Sequence, residues 1–419
     1  MSVALWLAIG SCAITALGVL MTRANLARLR PAPGVDETVG AGRGGGGGEE
    51  DTSWKPAPQK AGNTKPLISV CIPARNEAAN IEACVRAVLA STDASVEVLV
   101  YDDQSTDETP RILARLCEAD PRVRRVDTIA LPPGWNGKQH ACWRMAGAAL
   151  GEWLIFTDAD VRFAPSCVAR AVAMGRENGL GMVSAFPRQV LGTVGEAMAV
   201  PMIFFILLMY LPFGRMRKTL DPSASAACGQ FLCVSRAGYD ASGGHAGFRD
   251  SMHDGVKMPR ALRRAGFKTD LFDGSDLLEC RMYRGWDQTW RGFTKNAFEG
   301  LSSLALLVFL TVVHGVGYVL PPLGLVWASV SGQPLAGGLW ALAMGLAMLQ
   351  IGQVFGRNLA VAADPNPGAA TVTRLFPGAA VLVMTLIQWE SYRLHLLGRR
   401  TWRGRGQSPE KHERPVKTA

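Results

Sequence analysis

The chain of 419 residues carries a formal net charge of +9, yet 48% of its residues are hydrophobic and only 19% are charged, so its length allows one large domain or two ordinary ones. The positive charges sit beside apolar segments, at Arg23, Arg28 and Arg30, at Arg215, Arg217 and Lys218, and from Arg393 onward to Lys417; this fits anionic lipid headgroups and excludes nucleic acid as the expected partner. The nine cysteines show no metal-like pairing, with Cys228 and Cys233 the nearest two in sequence, and read as reduced thiols, which excludes a disulfide framework.

Residues 3–21 form an uncharged run followed by Arg23, Arg28 and Arg30. A signal peptide begins with positive charge, and Met1-Ser2 has none on its side chains. The pattern predicts an uncleaved transmembrane anchor over residues 1–22, with its C-terminal side in the cytoplasm. Residues 23–65 are rich in Gly and Pro, with Gly44 through Gly48 unbroken. Such a stretch buries too little apolar surface to fold and reads as a flexible linker.

A folded domain over residues 66–300 follows. LISVCI (67–72), VEVLVY (96–101), residues 123–127 and WLIFT (153–157) read as buried strands. Helical patterns cover residues 78–89, 109–118 and 138–150. Strands alternating with helices predict a mostly parallel α/β sheet with helices on both faces. Residues 195–214 are apolar but contain Pro201 and Pro212, with basic residues just after. A span here would put Asp160 and Asp254 on opposite sides of a membrane, so an interfacial helix is expected. Further on, residues 228–235 read as a strand, 254–265 as a helix and 267–272 as a strand.

No Asp, Glu, Lys or Arg occurs from Leu301 to Gly356, long enough for a two-helix membrane hairpin. The region 301–398 is expected to carry two or three spans, near 302–328, 335–355 and 375–396. A basic tail over 399–419 ends the chain. Here the signals conflict. With the enzyme inside, three further spans would put the tail outside, whereas its many arginines and lysines favour the inside.

Three polar clusters close three of these strands: Pro73-Ala74-Arg75-Asn76-Glu77, Asp102-Asp103-Gln104-Ser105 and Asp158-Ala159-Asp160. Ligands of parallel α/β sheets bind beyond the carboxyl ends of the strands. Two carboxylates one residue apart, at Asp158 and Asp160, can share a hard cation such as Mg²⁺ or Mn²⁺ when phosphate oxygens supply further ligands. The first two clusters are also ordinary helix caps and turns, with Ser105 to Glu108 a capping box.

Together, ISVCIPARNEAANIEACVRAVL, VEVLVYDDQSTDET and GEWLIFTDADVRFAP resemble the inverting family 2 glycosyltransferases of GT-A fold, in that family's order and spacing. LPPGWNGKQHACWRMA and WRGRG (402–406) resemble its membrane-bound branch, whose members glycosylate isoprenoid-derived lipids such as carotenoid acids and hopanoids. The resemblance implies a Rossmann-like GT-A domain joined to transmembrane helices. It implies that Glu77 and Asp103 hold the nucleotide, together with Pro73, Arg75 and Asp102. Asp158 and Asp160 match the metal motif, with Asp160 the direct ligand and Mg or Mn the ion. Lys138 would meet a phosphate. Asp254, in MHDGVKMPRALRRAG, takes the general-base position, where His253 replaces the family's usual Glu; a helix N-cap is its bland role. Arg281, Arg284 and Lys295 could neutralise the diphosphate or touch lipid headgroups. The family's processive synthases carry Gln-x-x-Arg-Trp here, and Arg281 with the Gly285 insertion departs from it.

The expected protein is therefore a non-processive, metal-dependent transferase. It moves a sugar from a nucleotide-diphosphate donor, UDP by family habit, to a lipid acceptor. The expected location is the inner or plasma membrane, with the catalytic domain cytoplasmic. A processive polysaccharide synthase and a membrane-bound nucleotidyltransferase are the alternatives.

Overall fold

The computed structural model describes residues 2–34, 67–301, 303–357, 359–362, 368–399, 401–402 and 405–406. Most of the linker expected at 23–65 lies outside the described residues. So do Arg400, Arg403, Lys411, Arg414 and Lys417 of the basic tail, and with them part of the WRGRG stretch.

The elements run in this order: α1 (Val3–Arg28), β1 (Leu67–Ala74), α2 (Ile81–Leu89), β2 (Ser95–Asp102), α3 (Thr109–Ala119), β3 (Val123–Arg125), α4 (Gly137–Ala148), β4 (Trp153–Thr157), β5 (Val161–Phe163), α5 (Cys167–Glu177), β6 (Met182–Leu191), α6 (Val194–Ala199), α7 (Met202–Tyr210), α8 (Phe213–Lys218), β7 (Phe231–Ser235), α9 (Arg236–Ala241), α10 (Asp254–Arg264) and β8 (Thr269–Cys280). Then come α11 (Trp286–Thr294), α12 (Ala297–Leu301), α13 (Leu304–His314), α14 (Leu320–Val330), α15 (Pro334–Phe355), β9 (Ala360–Ala362), α16 (Gly368–Leu375) and α17 (Pro377–Leu396).

Among the described residues, nine strands make one sheet in the order β3-β2-β1-β4-β7-β6-β8-β5, with β9 beside β6. The first four strands are parallel, as the alternating pattern predicts. Beyond β4 the sheet is mixed. β7 runs antiparallel to both β4 and β6, and β5 runs antiparallel to β8. The reason is connectivity: no helix long enough for a parallel crossover separates β4 from β5, and β7 enters from the α6–α8 excursion.

The central strands are mostly apolar because both faces are covered, and their buried polar pair, Ser69 and Glu97, is joined by a hydrogen bond of 2.6 Å. Side chains alternate between the faces. Val70, Ile72, Val98, Val100 and Ile155 pack under α2, α3 and α5. Cys71, Leu99, Tyr101, Leu154 and Phe156 pack against α4 and α10. Each fully buried Ile or Leu contributes about 1.5–3 kcal/mol.

The apolar stretch expected as one helix over 195–214 is three short helices, α6 to α8. Pro201 and Pro212 fall at the breaks, because proline has no N–H for a helix interior. Met202, Phe204, Phe205, Leu208 and Met209 of α7 are buried.

Among the described residues, three helical stretches are long and apolar enough to cross a membrane: α1, the continuous 304–330 segment holding α13 and α14, and α15. α16 and α17 qualify only when taken together, and a 91° bend separates them. Along α1, Ala8, Ser11, Thr15, Gly18 and Thr22 are buried as a stripe of small residues, the kind that lets apolar helices approach closely. A Cβ on Gly18 would lie 2.6 Å from both Gln350 Oε1 and Tyr318 Oη. Gln350 Nε2 donates to Thr22 Oγ1 at 3.0 Å.

The end of α1 is fastened to the sheet domain. Asn25 Nδ2 donates to the carbonyls of Leu208 and Leu211, both at 2.9 Å. The Asp273 N–H donates to Arg30 O at 2.8 Å, and Arg170 Nε donates to Pro33 O at 2.9 Å. The helix therefore runs to Arg28, six residues past the expected anchor end at 22, and these contacts tie the chain to the domain as far as Pro33.

Candidate active site

Each of the three polar clusters leaves the carboxyl end of a neighbouring strand. β1 and β2 are in register from Leu67↔Ser95 to Ala74↔Asp102, so their loops start side by side. The loops are then stitched together. Arg75 Nη1 donates to the carbonyls of Asp103 and Gln104. The Asn76 N–H donates to Ser105 Oγ at 2.9 Å, and the Thr106 N–H returns to Asn76 Oδ1 at 2.8 Å. Asn76 and Gln104 hold φ of 54° and 55°, left-handed values that cost a non-glycine residue strain and that this cross-bracing sustains. The Glu77 N–H donates to Thr109 Oγ1 at 2.9 Å, and Asn80 Nδ2 donates to Glu77 Oε2 at 3.0 Å. Asp102 Oδ1 accepts from the Ser105 N–H at 3.1 Å and shapes the turn. Glu77, Asp102 and Asp103 are all buried. Pro73 is a buried strand residue opposite Tyr101.

The capping box read at Ser105 to Glu108 is not the cap that forms. Asp107 takes that place, with Oδ1 accepting from the Thr109 N–H at 3.0 Å and Oδ2 from the Ala78 N–H at 3.0 Å.

Acidic groups converge behind these loops. Cys84 Sγ lies 3.8 Å from Asp158 O. Burial pushes the Cys84 thiol up to about 12; Arg162 opposes this, and the charges of Asp160, Asp158 and Glu77 add to it. Cys280 lies opposite Val161, one residue past Asp160. Burial, then the charges of Asp160 and Asp158, hold its thiol well above the ordinary range.

Lys138 joins the two halves of the site. Asn136 Oδ1 caps α4 by accepting from the Lys138 N–H at 2.9 Å. The Lys138 ammonium lies 2.7 Å from Asp158 Oδ1 and 3.0 Å from Asp254 Oδ2, and it donates to Gly229 O at 3.4 Å. Asp254 is the first residue of α10, with Oδ1 accepting from the Gly255 N–H at 2.8 Å. A Cβ on Gly229 would come 2.3 Å from that same Oδ1, so the approach requires glycine.

Burial alone would raise the Asp254 carboxyl. The charge and hydrogen bond of Lys138, helped by His245 and His253, more than reverse this and hold it below the usual Asp range. Burial also opposes the Lys138 charge, but Asp158 and Asp254 raise its pKa well above that of an ordinary lysine. At neutral pH Asp254 is therefore a carboxylate facing a charged Lys138 ammonium. His245, fully buried against Tyr239, is pushed down to about 3 by burial and is neutral.

The three cations expected to neutralise a diphosphate are placed differently. Arg281 lies beside Gly192 and pairs with Glu196 at 3.6 Å. Arg284 is exposed, with its N–H donating to Gln288 Oε1 at 3.0 Å. Lys295 is half-buried at the C-terminal end of α11. Only Arg281 follows directly on a residue that borders the acids.

Several residues here escaped sequence reasoning. Gln230 donates to Cys280 Sγ at 2.9 Å and accepts from Gln189 Nε2 at 2.9 Å, lining the floor between β6, β7 and β8. Glu196 is buried and accepts from the N–H groups of Gly192 and Gly285, both at 2.6 Å. Its signal was present: Thr193 and Glu196 form the spacing of a capping box. Glu299, which holds the loop before Asp254, has no local signal.

Among the described residues, no three His, Cys, Asp or Glu side chains are disposed to enclose a metal ion. Asp158 and Asp160 stand one residue apart just past the end of β4, with Asp158 Oδ1 held by the Lys138 ammonium at 2.7 Å. Such a pair fits Mg²⁺ or Mn²⁺, which keep several positions for phosphate oxygens and water.

Residues 69–242 match the profile of the family described as Glycosyl transferase family 2. The chain is 27% identical over 258 residues to a 4,4'-diaponeurosporenoate glycosyltransferase of Staphylococcus haemolyticus (strain JCSC1435), over 61% of this chain and 67% of that one. It is 26% identical over 254 residues to the enzyme of that name from Staphylococcus aureus (strain USA300), over 59% and 64%. The match therefore spans about two thirds of the length of these relatives. In fold, the chain resembles the mannosyltransferase PcManGT from Pyrobaculum calidifontis, solved with GDP-Man and Mn²⁺. The TM-score is 0.52 at 18% identity, over 94% of this chain and 99% of that chain.

Proposed function

From the match of residues 69–242 to the family 2 glycosyltransferase profile, we propose that this protein transfers one sugar from a nucleotide-diphosphate donor to a lipid acceptor at the cytoplasmic membrane face, with inversion. The observation that carries this reading is the Lys138 ammonium, held between Asp158 at 2.7 Å and Asp254 at 3.0 Å. It joins the donor-side acids to the acceptor-side acid in one cluster.

Pro73, Arg75, Glu77, Asp102 and Asp103 form the nucleotide side. Glu77 and Asp103 supply the acceptor oxygens for base and ribose, while Arg75 and Asp102 fix the loops that present them. Asp160, with Asp158, holds Mg²⁺ or Mn²⁺, which when bound stabilises the departing diphosphate as a Lewis acid. Lys138 leaves its carboxylates to meet a phosphate oxygen, and Arg281, Arg284 and Lys295 add positive charge around the leaving group. Asp254, released from Lys138, takes the proton of an acceptor hydroxyl. That oxygen then bonds to the anomeric carbon as the carbon–diphosphate bond breaks on the opposite face. A base so placed contributes about 10²–10⁴-fold.

The relatives' names support an isoprenoid acceptor bearing a carboxylate. Such an acceptor is already ionised, and Asp254 then matters less. UDP is the expected nucleotide by family habit.

For topology, α1, the 304–330 segment and α15 are taken as three spans, with the catalytic domain cytoplasmic and α6–α8 lying in the interface. α16–α17 is taken as re-entrant. Both of its ends support this: Thr373 Oγ1 donates to Ala197 O of α6 at 2.7 Å, and Ser391 Oγ accepts from the Phe298 N–H of α12 at 3.0 Å. The basic tail then returns to the catalytic side, and the conflict with the positive-inside rule disappears.

Lipid mass spectrometry tests the reading. Membranes from cells expressing the wild-type chain should contain a lipid heavier by one hexose-type residue, absent with Asp160→Ala. Identical lipid profiles, or a polymer ladder, would sink it.

A further inference from the structure

The loop before Asp254 is held by a residue from outside the sheet. Glu299 lies on α12, the short helix that leads into the first C-terminal span. Its carboxylate accepts from the Ser251 hydroxyl and from the Met252 N–H, the latter at 3.1 Å to Oε2. Ser251 Oγ in turn accepts from the His253 N–H at 3.0 Å. The two backbone N–H groups immediately before Asp254 are thus held by one carboxylate and one hydroxyl. A Cβ on Gly300 would lie 3.0 Å from His253 Nε2, so α12 also sits directly against that ring.

The other end of α12 is seated on α17. The Phe298 N–H donates to Ser391 Oγ, and the Phe298 ring packs on Tyr392 at 4.8 Å and His395 at 5.2 Å. Trp389 Nε1 donates to Thr311 Oγ1 at 3.0 Å, tying α17 to α13. This cluster of Trp, Tyr, His and Phe has the composition of a membrane-interface belt. A continuous path of contacts therefore runs from the interface helices, through Glu299, to the start of α10.

We propose that Glu299 is a positioning residue: acting through Ser251 and Met252, it sets Asp254 at the height where an acceptor leaving the bilayer interface presents its nucleophile. The inference rests on the reading of Asp254 as the acceptor-side acid. The Glu299 carboxylate is spent on the loop that leads into Asp254, so it acts on acceptor chemistry. Misplacing a reacting group by about 1 Å costs about 10²-fold in rate.

The test uses the full-length protein in vesicles of native membrane lipid, with the nucleotide sugar that the wild type consumes. Glu299→Ala should lower kcat about 10- to 100-fold while leaving the KM for donor and the Kd for the nucleoside diphosphate unchanged. Glu299→Gln keeps an acceptor oxygen and should recover most of the rate. Ser251→Ala should impair kcat in the same way, and the double variant should lose less than the product of the two single losses, because both act on one loop. Wild-type kcat in Glu299→Ala, or donor affinity falling in step with kcat and with no rescue by Gln, overturns the proposal. Asp254→Asn run in parallel separates the two claims. If it retains full transfer, the reading of Asp254 itself fails. If it is inactive while Glu299→Ala is normal, only the role of Glu299 fails.

Discussion

The donor side and the acceptor side of this site are built by different means. On the donor side, Glu77, Asp103, Asp158 and Asp160 each follow a parallel strand by a few residues. Their positions come from local strand–loop–helix units and a register that aligns the loops. On the acceptor side the contacts cross long stretches of chain: Lys138 to Asp254, Glu196 to Gly285, Glu299 to Ser251. A carboxyl-end loop can be placed from its own strand. A residue that needs a partner a hundred positions away cannot.

Substitutions that separate the two sides sharpen this contrast. The largest effect belongs to the donor side. Asp160→Ala should lower transfer about 10³-fold or more, because several kcal/mol of leaving-group stabilisation depend on it. Steady-state assays should show the loss with either Mg²⁺ or Mn²⁺, and substantial turnover would remove Asp160 from the metal site.

Next comes Asp254→Asn. It should cost about 10²–10⁴-fold with a hydroxyl acceptor but leave nucleotide affinity, measured by calorimetry, unchanged. A much smaller loss would mark the acceptor as already ionised. Gly229→Ala probes the same carboxylate indirectly. Its methyl group would have to displace Asp254 Oδ1 from 2.3 Å, and about 10²-fold of kcat should go with it. If donor KM changes instead, the two sides are less separate than described.

The smallest effect is a displacement of the pH profile. Lys138 is the chief group holding the Asp254 carboxyl down, against burial that raises it. A base acts only above its own pKa, so transfer fails as pH falls through that value. Lys138→Met removes the largest influence opposing burial and should therefore move the acid limb of kcat/KM to higher pH. An unmoved limb would mean that Asp254 does not govern it.

The same contrast explains what the sequence revealed. β1 to β4, the three polar clusters and the apolar spans were legible because each depends on a short periodic run. β5, β6 and α5 escaped notice. The mixed half of the sheet did too, since β7 pairs with β4 across the long excursion from Thr157 to Phe231. The long apolar run at 195–214 read as one helix because its composition is uniform, although Pro201 and Pro212 mark where it breaks. Arg281, proposed at the diphosphate, also pairs with Glu196, a partner that no spacing could indicate. The bend between α16 and α17 was also hidden, though Pro377 marks it.

The most direct measurement counts the nucleotide released. Purified full-length protein in membrane vesicles, supplied with nucleotide sugar and Mg²⁺ or Mn²⁺, should release nucleoside diphosphate in one-to-one ratio with a monoglycosylated lipid. Release of pyrophosphate, or of many nucleoside diphosphates per lipid product, would contradict a single glycosyl transfer across the Asp158–Lys138–Asp254 cluster.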